Sequence, residues 1–132
     1  TNACGASSDW ASRIIAEVGG SPEAVSRLAA SAPSGSGGVV YHPYLLGERC
    51  PHWDGALRGS FVGLGLGHGP EHLARAVLEG IAYSLRDAFG VFQEGENRCE
   101  AGTMTMVGGG TQRAILSSSP RFDPSMKFSV PS

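Results

Sequence analysis

Three consecutive glycines, Gly108, Gly109 and Gly110, follow the alternating run TMTMV at 103–107. A glycine turn at a strand end lets the backbone come close to a phosphate, so that several N–H groups converge on it. A helix starting after the turn would add its positive end. No helical periodicity follows Gln112, and an ordinary tight turn also calls for glycine. A second group of reactive types lies in GERCPHWDGALRG, 47–59: Glu48, Arg49, His52, Trp53, Asp54 and Arg58. This loop directly follows the apolar run VVYHPYLL, 39–46, and α/β proteins place their sites in loops at strand ends. The plain alternative is a solvated loop with a surface Glu48–Arg49 pair, which contributes little.

Other candidate groups are less complete. His68 and His72 stand four apart, but Gly69 and Pro70 separate His68 from the helix that follows. Cys50 and His52 are neighbours in sequence, yet no further ligand completes a zinc spacing. No metal ligand is assigned. Arg75 and Glu79, also four apart, read as a helix-surface pair or as an anchor between the helix and the 47–59 loop. There is no GxSxG, and no serine or cysteine has a placed histidine, so no catalytic residue is assigned.

The elements that must hold these residues are partly readable. Ser8 followed by DWASRIIAEV predicts a capped helix with Trp10, Ile14 and Val18 on one face, ended by Gly19 and Gly20. Ser21, Pro22 and Glu23 restart a helix that runs to about residue 30. SAPSGSGG, 31–38, is a loop. VVYHPYLL reads as a buried strand leaving through Pro43, and SFVGL, 60–64, as a short strand. The clearest signal is a helix over about 70–92, opened by Pro70 and Glu71. Its stripe is Leu73, Val77, Ile81 and Leu85, widened by Leu78, Ala82, Phe89 and Phe92. Gly80 inside it costs roughly 1 kcal/mol against alanine, so a close neighbour is expected there.

With 132 residues the chain is at most one domain. Its net charge is −2 and it has no basic stripe, which argues against nucleic acid. No apolar run reaches the ~20 residues of a membrane span. The chain shows no signal-peptide pattern, so a cytoplasmic location is expected. The odd cysteine set, Cys4, Cys50 and Cys99, favours free thiols.

Taken in order, YHPYLLGERCPHWDGALRGSFVGLGLGH, LARAVLEGIAYSLRD and MVGGGTQ resemble the C-terminal domain of the FGGY carbohydrate kinases. The matching positions are Pro43-Tyr44-Leu45, Gly47-Glu48-Arg49, Pro51, Trp53-Asp54, Arg58-Gly59, Phe61, Gly63-Leu64, Arg75-Ala76, Leu78-Glu79-Gly80, Ala82 and Gly108–Gly110. The resemblance is specific over 39–112, and 5–38 is compatible with it. It implies an α/β fold, part of an actin-like, ribonuclease-H-like domain with an incomplete sheet and packed helices. Residues 1–116 would be the partial domain and 117–132 an irregular or disordered tail.

The resemblance further implies ATP and Mg²⁺ as cofactors and a sugar as substrate, most like a pentulose such as xylulose. Gluconate or another polyol is the alternative. Gly59, Gly108, Gly109 and Gly110 would lie against the nucleotide, with Glu48, Arg49, Arg75 and Glu79 in structural roles. The family's aspartate base and N-terminal phosphate loop lie upstream of the region covered here. After residue 113 the family has a tryptophan-containing helix, where this chain has Ile115, Leu116 and a serine–proline run. The chain is therefore expected to be a fragment lacking an N-terminal kinase domain and inactive alone; a homodimer is compatible with it. Two other readings stay open: a non-catalytic nucleotide-binding or regulatory remnant, and an α/β domain with a turn and no ligand.

Overall fold

The structure, a computed structural model, describes residues 4–15, 20–50, 52–94, 103–105 and 127–129. In chain order these form α1 (Cys4–Ile14), α2 (Pro22–Ser31), a single 3-10 turn (Ser36–Gly38), β1 (Val40–His42), β2 (Ser60–Val62), α3 (Pro70–Glu94), β3 (Thr103–Thr105) and β4 (Lys127–Ser129). β1 and β2 pair antiparallel, with Val40 opposite Val62, Tyr41 opposite Phe61 and His42 opposite Ser60. β3 and β4 pair parallel. The fold is thus a partial α/β unit: helices gathered on α3, and a small sheet laid on the same helix.

α2 begins as its residues dictate. The Ser21 hydroxyl accepts a hydrogen bond from Ala24 N at 3.3 Å, and Pro22 takes the first helical position. Val25 and Ala29 then turn inward. α1 departs from expectation. Ser8 is not its cap, because the helix already starts at Cys4. Its fully buried residues are Ser7, Ser8, Ala11 and Ser12; of the expected face and its neighbour, Trp10 and Ile15 pack against the core while Ile14 is 66% exposed. Small side chains let α1 lie close to its neighbours, and that packing outweighs burial of the larger Ile14. Val18 lies outside the described residues. The strand at 39–46 shortens to three residues, ending where Pro43 removes a ladder donor.

α3 carries the core. The expected stripe is present in Val77, Leu78, Ile81 and Ala82, yet Ala74 through Ala82 are buried without interruption, Arg75, Glu79 and Gly80 included. Helices α1 and α2 cover one side, β1 another and the 36–38 turn a third. Tyr41 sits at the join. Its ring lies 6.0 Å from Trp10 and 4.8 Å from Phe61, and its hydroxyl donates to Ser7 Oγ at 3.4 Å. A Cβ on Gly80 would run into the Tyr41 carbonyl, so the close neighbour expected of that glycine is the β1 backbone. Within the segment expected to be irregular, Lys127–Ser129 form β4; its other residues lie outside those described.

Two outcomes follow. Gly80→Ala should lower stability by about 1–3 kcal/mol through overpacking, although alanine ordinarily improves a helix interior by ~1 kcal/mol. A urea midpoint that rises instead would rule out the Tyr41 contact. Burial raises the Tyr41 phenol above its ordinary 10.0, with the Ser7 hydrogen bond acting the other way. The folded state therefore holds the neutral phenol more tightly. That contribution is complete below the unfolded value of about 10 and is lost as pH rises through the folded one. Denaturant midpoints should fall above about pH 10, and less steeply in Tyr41→Phe.

Candidate functional site

The 47–59 loop is wired to itself. Gly47, at φ +76°, lies where a Cβ would come within 2.8 Å of Gly55 Cα. Glu48 and Asp54 exchange both backbone hydrogen bonds, at 2.9 and 2.8 Å. The Glu48 side chain is 3% exposed, and its Oε1 accepts from Arg49 N at 2.8 Å and Cys50 N at 3.0 Å. A surface Glu48–Arg49 charge pair is thus replaced by a carboxylate that gathers its own loop's amides. Asp54 Oδ1 accepts from Ala56 N at 2.7 Å, and Arg58 Nη1 donates to Gly55 O and Leu57 O. Cys50 carries a free, half-buried thiol. Trp53 stands 79% exposed at φ +49°, a conformation unusual outside glycine. The His52 and Tyr44 rings meet edge-to-face, 5.8 Å apart. Burial, and then the negative charges of Asp87 and Glu48, push the Tyr44 phenol up.

Gly59 closes this loop one residue before β2. A Cβ there would lie 2.7 Å from Leu45 Cδ2 and 3.3 Å from His42 O. Its glycine character therefore has a packing cause within the chain: β1's exit and β2's start come together at this point. Half-buried, Gly59 keeps part of its backbone accessible. Gly108, Gly109 and Gly110 lie outside the described residues.

Arg75 and Glu79 are not a surface pair, nor do they reach the 47–59 loop. They are 6% and 3% exposed, joined by Arg75 Nε to Glu79 Oε1 at 2.6 Å. Glu79 Oε1 also accepts from Gly35 N at 3.1 Å. Glu79 Oε2 accepts from Ser36 Oγ and Tyr83 OH, each at 3.4 Å. Arg75 Nη2 donates to Ser34 Oγ at 3.0 Å. The partners form a turn in which Gly35, Ser36, Gly37 and Gly38 all have positive φ. A left-handed run aims its polar groups to one side, and here a carboxylate fills that side. Burying the pair is tolerable because each end has further partners, and removing one member of such a pair costs about 3–5 kcal/mol. Ser34–Ser36 stand out in the sequence only by the density of glycine and serine in SGSGG, which reads as a plain loop.

The histidines serve the backbone as well. His68 Nδ1 accepts from Gly65 N at 2.9 Å, leaving Nε2 to carry the proton toward Gly37 O at 3.1 Å. Both ring nitrogens are then spent. His72 Nδ1 accepts from Gly69 N at 3.1 Å. Glu71 Oε1 also lies 3.1 Å from that nitrogen, but a nitrogen whose lone pair takes an amide proton cannot donate to a carboxylate. The amide contact is the hydrogen bond. Among the described residues no three His, Cys, Asp or Glu side chains converge as metal ligands.

Comparison with known proteins adds the following. The model of the FGGY family of carbohydrate kinases, C-terminal domain, matches residues 1–118. A xylulose kinase of Lactococcus lactis is 38% identical over 112 residues, 85% of this chain and 22% of that protein. A gluconokinase of Bacillus subtilis is 40% identical over 85 residues, 64% of this chain and 16% of that protein. The crystal structure of a ligand-bound xylulose kinase from Lactobacillus acidophilus superposes with a TM-score of 0.75 at 35% identity, over 85% of this chain and 22% of that one. The chain thus spans about a fifth of the length of these relatives.

Glu48→Ala removes the acceptor for two loop amides. It should cost about 1–3 kcal/mol and speed tryptic cleavage after Arg49 and Arg58. Cleavage at the wild-type rate would show that the carboxylate does not hold the loop.

Proposed function

The chain belongs to the FGGY family of carbohydrate kinases, and on that premise we propose that its intact parent phosphorylates a sugar hydroxyl with ATP, in the cytoplasm. A pentulose such as xylulose is the favoured substrate. The observation that carries this reading is the identity to the xylulose kinase over most of the chain. The shorter match to the gluconokinase supports the second reading, an aldonate or other polyol as acceptor.

On this reading the chain forms part of the nucleotide side of a cleft, completed by an N-terminal domain. Gly59 would offer backbone to the nucleotide on the side away from Leu45, and Gly108–Gly110 would do so at the second glycine turn. The sugar oxygen attacks the γ-phosphorus, the bond to the β-phosphate oxygen breaks, and ADP leaves. An aspartate of the remainder takes the hydroxyl proton. Mg²⁺ neutralises phosphate charge when bound. The 47–59 loop contributes a stiff wall, which suits a site that must exclude water.

The full-length parent, assayed against pentuloses and aldonates with ATP, should act best on a pentulose; preference for an aldonate would favour the second reading. The 132-residue chain alone should phosphorylate no sugar and should bind ATP weakly or not at all. Calorimetry giving a low-micromolar Kd, about −8 kcal/mol, would contradict it.

A further inference from the structure

The Arg75–Glu79 pair is buried, fully partnered and remote in sequence from the turn it holds, so it does more than stiffen a helix. A chain of contacts links it to Gly59. Glu79 grips Gly35 and Ser36 just before β1. Its neighbour Gly80 receives the Tyr41 backbone, fixing where β1 sits along α3. β1 pairs with β2 residue for residue, and the His42 carbonyl lies against Gly59. The turn also braces the far end of β2: a Cβ on Gly63 would stand 2.7 Å from Gly38 O.

We infer that Glu79 is a positioning residue, whose carboxylate, balanced by Arg75, sets the left-handed 35–38 turn and through β1 and β2 the place of Gly59 toward the nucleotide. This rests on the reading that Gly59 faces nucleotide. Glu79 itself touches no reacting atom. Its role is to add to the Gly80 contact and the buried Tyr41–Phe61 face in favouring one register of the β1–β2 pair, since a two-stranded sheet of three-residue strands is marginal alone.

Amide hydrogen exchange on the whole 132-residue chain tests this. In Glu79→Gln the amides of Gly35, Val40–His42, Gly59 and Ser60–Val62 should exchange about tenfold faster, the change expected for one lost buried hydrogen bond. Those of Val25 and Ala29 in α2 should hold their rates. A uniform rise, or none, would overturn the proposal, because it would mean general stability or no role at all. Ser36→Ala keeps the Arg75–Glu79 pair and should give the same local pattern with smaller amplitude. A uniform pattern there counts against the proposal too, so it stays decidable if Glu79→Gln does not fold.

Millimolar ATP added to the full-length parent, where the cleft is complete, supplies the second readout. The Gly59 amide resonance should shift in the wild type and shift less in both variants. An equal shift in all three would sever Glu79 from nucleotide contact and overturn that link. No shift in the wild type would instead sink the nucleotide reading of Gly59, and the exchange rates would then decide alone whether Glu79 sets the strand pair.

Discussion

The approach of the Tyr41 backbone to Gly80 is the constraint on which the other contacts depend. A helix interior normally disfavours glycine by roughly 1 kcal/mol. Here the missing side chain lets a strand lie directly on the helix, and the Tyr41 ring reaches Trp10 and Phe61. Burying one large side chain contributes about 1.5–3 kcal/mol, enough to offset the local loss. Without that approach β1 would stand off from α3, the aromatic cluster would open, and the β1–β2 pair would lose the floor beneath Tyr41 and Phe61.

Around that contact the chain uses one device twice. Glu48 and Glu79 are both buried carboxylates that accept hydrogen bonds from an irregular segment leading into a strand: Glu48 from two backbone N–H groups, Glu79 from the Gly35 N–H and the Ser36 hydroxyl. Glu48 works on its own loop, ahead of β2. Glu79 works on a turn more than forty residues earlier, ahead of β1. Irregular segments carry amides that no ladder satisfies, and a carboxylate can take several of them strongly. The cost is a buried charge. Arg75 answers it for Glu79, and two loop amides help to answer it for Glu48.

What the sequence revealed follows from how local each cause is. Ser21–Pro22 caps α2 through contacts three residues away, and the long helix follows from Pro70 and a sustained stripe. Gly80 was readable as a position needing a neighbour, though not which one. Arg75 and Glu79 misled because an i, i+4 pair of opposite charge is the ordinary mark of a solvent face. What buries them is tertiary: Ser34, Gly35 and Ser36, more than forty residues upstream. On α1 the expected face holds at Trp10 and Ile15 and fails at Ile14; the buried serines and alanine were not legible, since such residues become core only when a neighbour comes close. The family likeness was legible because it rests on residue order rather than on any single contact. The three glycines that opened the candidate site lie outside the described residues.

The β1–β2 pair has two unlike faces. Tyr41 and Phe61 point to the core. Val40 and Val62, opposite each other, are 39% and 53% exposed, and Leu64 and Leu66 beyond them are more exposed still. An isolated pair of three-residue strands is marginal in water, so its inner face must supply the stability its outer face does not. This gives α3 two loads. It is the core of the described residues, and it is the support that keeps an otherwise bare strand pair, with Gly59 at its edge, in one place. On the proposed reading this pair edges a cleft wall, and such a wall would need to be stiff before closure if closure is to align reacting atoms rather than remake the wall. Arg75, Glu79 and Gly80, within two turns of one helix, would supply that stiffness together.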